Sequence, residues 1–117
     1  MYATASKEEI TSFLDKCKSY IFHKKVDFIL GPEEKYTLSN MGISYQDAFE
    51  LVNEITYMNY YRGPSADHKN PSEVVWEFGF EEVPQDIYIK LKFRNNRDDL
   101  LMLSFHYAER PITYAYR

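Results

Sequence analysis

The chain reads as an α+β domain whose N-terminal helices pack on one face of a C-terminal antiparallel β-sheet. Three observations predict this. Apolar residues recur at helical spacing as far as Thr56, two-residue alternation replaces that spacing afterwards, and short turn-bearing connections separate the later runs. At 117 residues the chain fits a single domain over 1–117, mainly helical over 1–56 and sheet over 57–117.

Ser6 followed by Glu9 is a capping box that opens a helix, and Ile10, Phe13, Leu14, Cys17 and Ile21 form its apolar stripe. Lys25 to Leu30 is a short extended run ended by Gly31-Pro32. Glu33 to Met41 reads as a short helix closed by Gly42, and Ser44 with Asp47 starts a third, with Ala48, Leu51, Val52 and Ile55 as its buried stripe. Thr56 to Arg62 reads as a tyrosine-rich strand stopped by Gly63-Pro64, and Ser65 to Ser72 as a polar loop. Strands are expected at Val74–Phe80, Asp86–Arg94 and Leu100–Tyr107, with Asn95-Asn96 turning the last hairpin. The tail from Arg110 offers an edge strand that Pro111 argues against.

Ile87, Ile89, Leu91 and Phe93 share one face of their strand, which must meet the helices; Tyr88, Lys90, Lys92 and Arg94 share the other. Matching parity in the last strand buries Leu101, Leu103 and Phe105 and leaves Ser104 and His106 on the open face. Pairing the three strands as a meander then gathers Glu77, Tyr88, Lys90 and His106 on one solvated surface.

Net charge is −4, with six Lys/Arg against nine Asp/Glu in residues 1–56 and eight against nine in 57–117. Such a balance excludes indiscriminate coating of nucleic acid. A run of Lys90, Lys92, Arg94 and Arg97 contains no acid and marks a local basic site. Only four glycines are present, which leaves no phosphate-cradling loop, and the single Cys17 on a helical stripe reads as core packing, so neither a cofactor nor a metal is expected. No stretch is long and apolar enough for a membrane span, and Met1 to Ser6 lacks the layout of a signal peptide, so the cytoplasm is the expected location.

Cutting RNA without a metal requires a proton donor for the leaving 5′-oxygen, help in deprotonating the 2′-hydroxyl, and cations for the charge on phosphorus. His106 suits the first task, because histidine titrates near neutrality. Tyr88 and Glu77 can assist proton traffic, and Arg62 and Lys90 can hold the phosphate. Tyr60 and Tyr61 can stack bases, with Lys92 as a further backbone contact.

Four segments in this order carry a resemblance: Tyr60-Tyr61-Arg62-Gly63-Pro64-Ser65-Ala66-Asp67, Val75-Trp76-Glu77-Phe78-Gly79, Ile87-Tyr88-Ile89-Lys90-Leu91 and Leu103-Ser104-Phe105-His106-Tyr107-Ala108-Glu109. From about Ile43 to the C-terminus the chain resembles the MqsR-like toxins of bacterial toxin–antitoxin systems, within the RelE-like group of messenger-RNA endoribonucleases. The resemblance implies cleavage of mRNA, free or on the ribosome, that leaves a 2′,3′-cyclic phosphate and a 5′-hydroxyl. It also implies a cognate antitoxin as partner and no direct contact with DNA. Carried over residue by residue, it places Arg62 where the family has lysine, Glu77 where it has glutamine, Tyr88 and Lys90 on its Tyr-x-Lys strand, and His106 where it has lysine. The acidic composition also fits a different class, a non-enzymatic protein-interaction or inhibitor module.

Overall fold

The structure, a computed structural model, describes residues 4–117, so part of the polar Met1–Ser6 stretch lies outside it. Ser6 caps α1 (Lys7–Phe22) through the expected box: Glu9 N donates to Ser6 Oγ at 3.1 Å and Ser6 N to the Glu9 carboxylate at 3.0 Å. Ile10, Phe13, Leu14 and Cys17 are buried beneath it, and the Phe13 ring stacks 4.6 Å from Trp76. The strand β1 (Val26–Phe28) follows, then α2 (Pro32–Met41), which closes at Gly42 in the left-handed region (φ 71°), where a missing Cβ removes the steric cost. Ser44 and Asp47 cap α3 (Tyr45–Glu54) reciprocally. Its buried stripe is Ala48, Phe49, Val52 and the following Ile55; Leu51, expected in the stripe, is only partly covered.

The sheet comprises β2 (Tyr60–Ala66), β3 (Val74–Phe80), β4 (Ile87–Arg94) and β5 (Asp99–Tyr107), in the spatial order β1-β5-β4-β3-β2. The four later strands pair antiparallel, as anticipated. The sheet as a whole is mixed, because β1 joins the outside of β5 in parallel register. Ile87, Ile89, Leu91, Phe78 and Phe105 point to the helices and are fully buried, each contributing about 1.5–3 kcal/mol.

Three departures from expectation have local causes. Thr56 does not begin a strand: its hydroxyl accepts from Met58 N and caps a 3₁₀ turn at Tyr57–Asn59. Nor does Gly63-Pro64 end one. β2 runs through it with two register shifts, Gly63 at φ 116° sitting so close to β3 that a Cβ would lie 2.8 Å from Val75 O. Pro64 is tolerated because β2 is an edge strand, with no ladder partner on its outer side.

The third departure is in β5. Lys90 pairs Ser104 but Leu91 pairs Met102, so Leu103 is the extra residue of a bulge and parity inverts there. Leu100 and Met102, not Leu101 and Leu103, join the helix-side core, while Phe105 and His106 keep the expected sides. Beyond Met102, β5 has outrun β1, and α2 covers its open edge; the buried Glu34 carboxylate accepts from Phe105 N at 3.4 Å. The tail adds no strand. No helix among the described residues is long and apolar enough to cross a membrane.

Candidate active site

Two rows of residues cross the sheet face opposite the helices. Pairing places Arg62 beside Glu77, Glu77 beside Lys90 and Lys90 beside Ser104; one step along, Gly79 pairs Tyr88 and Tyr88 pairs His106. Alternation along each strand therefore brings Arg62, Glu77, Tyr88, Lys90 and His106 to the same side.

Glu77 is not solvated. It is 3% exposed and holds its two neighbours: Arg62 Nε donates to Oε2 at 2.8 Å and the Tyr88 hydroxyl to Oε1 at 2.5 Å. With both oxygens engaged, Glu77 orients Arg62 and Tyr88 and does not meet substrate. Burial, and then the hydrogen bond to Glu77, push the Tyr88 phenol far above its ordinary value. Tyr88 thus stays protonated near neutrality, as a donor and not a base.

The His106 imidazole lies 5.3 Å from the Tyr88 ring, centre to centre. Its Nδ1 sits 2.9 Å from Tyr107 O and 3.7 Å from a Glu33 carboxylate oxygen. A carbonyl only accepts, so Nδ1 carries the proton and Nε2 is the atom left to gain or lose one. The Arg62 guanidinium lies 4.7 Å from the Tyr61 ring centre, a cation–π arrangement that sets a flat platform beside the histidine.

Tyr61, Arg62, Tyr88 and His106 line one side of an open cleft of about 380 Å³. The segment Ala108–Ile112 forms the other side and brings in the exposed Arg110. Sequence reasoning missed this wall. Its signal was Pro111, which cannot donate to a ladder and follows closely on the last bond of β5 to β4, Ala108 N to Asp86 O at 2.8 Å, where the chain turns back over the sheet.

The tail is seated by Tyr114, whose hydroxyl donates to Asp86 at 2.9 Å, by Tyr116, which donates to Ala5 O, and by Arg117, which pairs with Glu81 at 2.6 Å. It crosses Gly79, where an added Cβ would lie 2.5 Å from Ile112 Cδ1 and 3.1 Å from Ile87 O. Gly79→Ala is expected to cost about 1–2 kcal/mol through overpacking and to lift the cleft wall. Thermal unfolding reads the first effect, and loss of protection from proteolysis at residues 108–112 reads the second.

Two expected RNA contacts are corrected. Tyr60 is fully buried; its hydroxyl donates to Gly63 O at 2.6 Å and accepts from Ala5 N at 3.1 Å, so its ring is core and cannot stack on a base. Lys92 is 6% exposed and bonded to Asp67 at 2.5 Å and Glu73 at 2.9 Å, so it is no backbone contact either. The basic run is neutralised in the same way further along, Arg94 by Asp99 at 2.5 Å and Asp27 at 2.9 Å. Lys90 is its one member without an ion pair among the described residues, in the row of pairs next to Tyr88 and His106. His23, at the end of α1, lies with Nδ1 2.8 Å from Ser19 O.

Searched against family models, curated proteins and solved structures, the chain finds no match.

Proposed function

We propose that the protein is a toxin-type endoribonuclease that cuts messenger RNA in the cleft beside β4 and β5 and is held in check by a cognate antitoxin. The observation that supports it is the register pair Tyr88–His106, which sets a titratable imidazole beside a neutral phenol at the wall of a cleft bearing Arg62 and Arg110. In this reading the RNA phosphate lies between the two arginines and a base stacks on Tyr61. The 2′-oxygen bonds to phosphorus as the bond to the 5′-oxygen breaks. The 2′-hydroxyl proton passes to water, and protonated His106 gives its Nε2 proton to the departing oxygen. The products are a 2′,3′-cyclic phosphate and a 5′-hydroxyl. Arg62 and Arg110 stabilise the charge that builds on phosphorus, and Tyr88, its hydroxyl bound to Glu77, packs beside the imidazole as a positioning residue. In this reading a side chain supplies the acid and arginines supply the positive charge, so the step is written without a metal.

Purified protein incubated with mRNA in excess chelator is expected to produce 5′-hydroxyl and cyclic-phosphate ends. Intact RNA, or ends bearing 5′-phosphate, overturns the reading. Arg110→Glu, at an exposed position, should weaken RNA binding and reduce the slope of log affinity against log salt by about 0.7 or more, as loss of one phosphate contact to a single strand requires.

A non-enzymatic interaction role is favoured by one separate feature, which lies on the helix side of β5.

A further inference from the structure

His106 lines the cleft described above, and its neighbour Tyr107, on the opposite side of the strand, lines a second groove of about 510 Å³. The groove runs between α3 and the β3–β4 connection. Its floor is apolar: Met41, Ile43 and the half-covered Leu51, with Val83 overhanging at 84% exposure. Its rim is acidic, formed by Asp47, Glu50 and Glu54 from α3 and Glu82 from the connection, and no lysine or arginine lines it.

The spacing on α3 is specific. Asp47, Glu50, Leu51 and Glu54 stand at i, i+3, i+4 and i+7, so one helix face presents a leucine framed by carboxylates. The other face buries Ala48 and Val52. α3 carries no basic residue, and neither Glu50, Glu54 nor Glu82 makes an ion pair among the described residues. Like charges three and four residues apart cost a helix about 0.2–0.5 kcal/mol per pair. Here that repulsion surrounds apolar surface, and although Asp47 is held in the α3 capping box, no cation lines the groove to offset the rest.

We infer that this groove docks a basic amphipathic segment of a partner protein, with apolar side chains on Met41, Leu51 and Val83 and Lys/Arg against the rim. The charge excludes the other large classes of occupant. RNA and anionic membrane are polyanions and are repelled by four carboxylates. A peptide helix with an apolar stripe and flanking cations satisfies both halves of the surface at once. Because cleft and groove lie on opposite sides of β5, a segment seated here leaves His106 open.

The test titrates the full-length protein with a designed helical peptide bearing leucine at i, i+3, i+4 and i+7 and lysine elsewhere, followed by backbone amide shifts. Shift changes are expected at Met41, Leu51 and Val83, and the counterpart with glutamate in place of lysine should not bind. Glu50→Lys with Glu54→Lys, and separately Val83→Asp, should each weaken binding about tenfold. All three positions are exposed, so these variants keep the fold. Shifts mapping to another surface, equal binding of both peptides, or unaltered affinity in the variants overturns the inference. RNA cleavage by the double variant should be unchanged. Peptide binding by a protein that cuts no RNA would leave the groove assigned and the nuclease reading rejected.

Discussion

His106→Ala is expected to slow RNA cleavage by about 10²–10⁴-fold, the range set by removing a positioned general acid. Nδ1 is committed to the Tyr107 carbonyl, so no neighbouring nitrogen replaces the lost Nε2 proton. Tyr88 cannot substitute, because its phenol is held far above the ordinary tyrosine value by burial and by Glu77. The fold should survive, since the imidazole lies on the face opposite the core and is absent from the buried cluster. RNA binding, which the proposed reading assigns to Arg62, Arg110 and Tyr61, should change little. Single-turnover cleavage and an independent binding measurement separate the two effects. A sharper check replaces the scissile 5′-oxygen with sulfur: a thiolate leaves without a proton, so the variant and the parent should then cut at similar rates. A His106→Ala protein that cuts ordinary RNA within about threefold of the parent would place the acid elsewhere.

The parts of the fold legible in the sequence are those fixed by local chemistry. Ser6 with Glu9 and Ser44 with Asp47 specify helix starts because donor and acceptor lie three residues apart, and Gly42 specifies a stop because few other residues take its backbone angle. The alternation of β4 exposed both its faces, and one of them holds Tyr88 and Lys90. What stayed hidden depends on partners distant in the chain. The β5 bulge at Leu103 is set by pairing with β4, and without it Leu101, which is buried on the face away from the helices beside Lys92, reads as part of the helix-side core. Tyr60 lies in a polar-looking run, yet its hydroxyl bonds Gly63 and Ala5, fifty-five positions away in the second case. Glu77 looks like an exposed acid in an alternating strand until Arg62 and Tyr88 close over it. The basic run Lys90 to Arg97 contains no acid, but folding brings Asp27, Asp67 and Glu73 to it, and Asp99, just past its end, pairs back onto Arg94. Residue type and alternation predicted which side chains share the face opposite the helices; which of their charges remain available is a property of the tertiary pairs.

Lys92 gives the largest expected effect on stability, and the test separates a structural cation from an RNA contact. It stands in register between Val75 and Leu101, each 4% exposed, which cover its stem. Its ammonium clasps the β2–β3 connection: Asp67 Oδ2 at 2.5 Å and Glu73 Oε1 at 2.9 Å, with Asp67 N donating to Glu73 O at 3.0 Å and Asn95 N to the second Glu73 oxygen at 2.7 Å. Burial works against the Lys92 charge, but the hydrogen bonds to Asp67 and Glu73 more than offset it, and its pKa ends above the ordinary lysine value. Removing one member of a covered ion network leaves the others unpaired, so Lys92→Ala is expected to cost about 3 kcal/mol, or roughly 10 °C in melting temperature for a domain of this size. Lys92→Met combined with Asp67→Asn and Glu73→Gln should recover much of that loss, because no uncompensated charge remains. The pH dependence has a definite sign. The hydrogen bonds from Lys92 hold Asp67 and Glu73 below their ordinary values of 3.8 and 4.5. The network's contribution is therefore complete at neutral pH and declines as pH falls through those depressed values. The gap in stability between parent and Lys92→Ala should narrow on acidification below about pH 4. Where the variant is still folded, its affinity for RNA and its salt slope should match the parent's. A variant of unchanged stability whose RNA binding fell would return Lys92 to the nucleic-acid surface and place its carboxylate partners elsewhere.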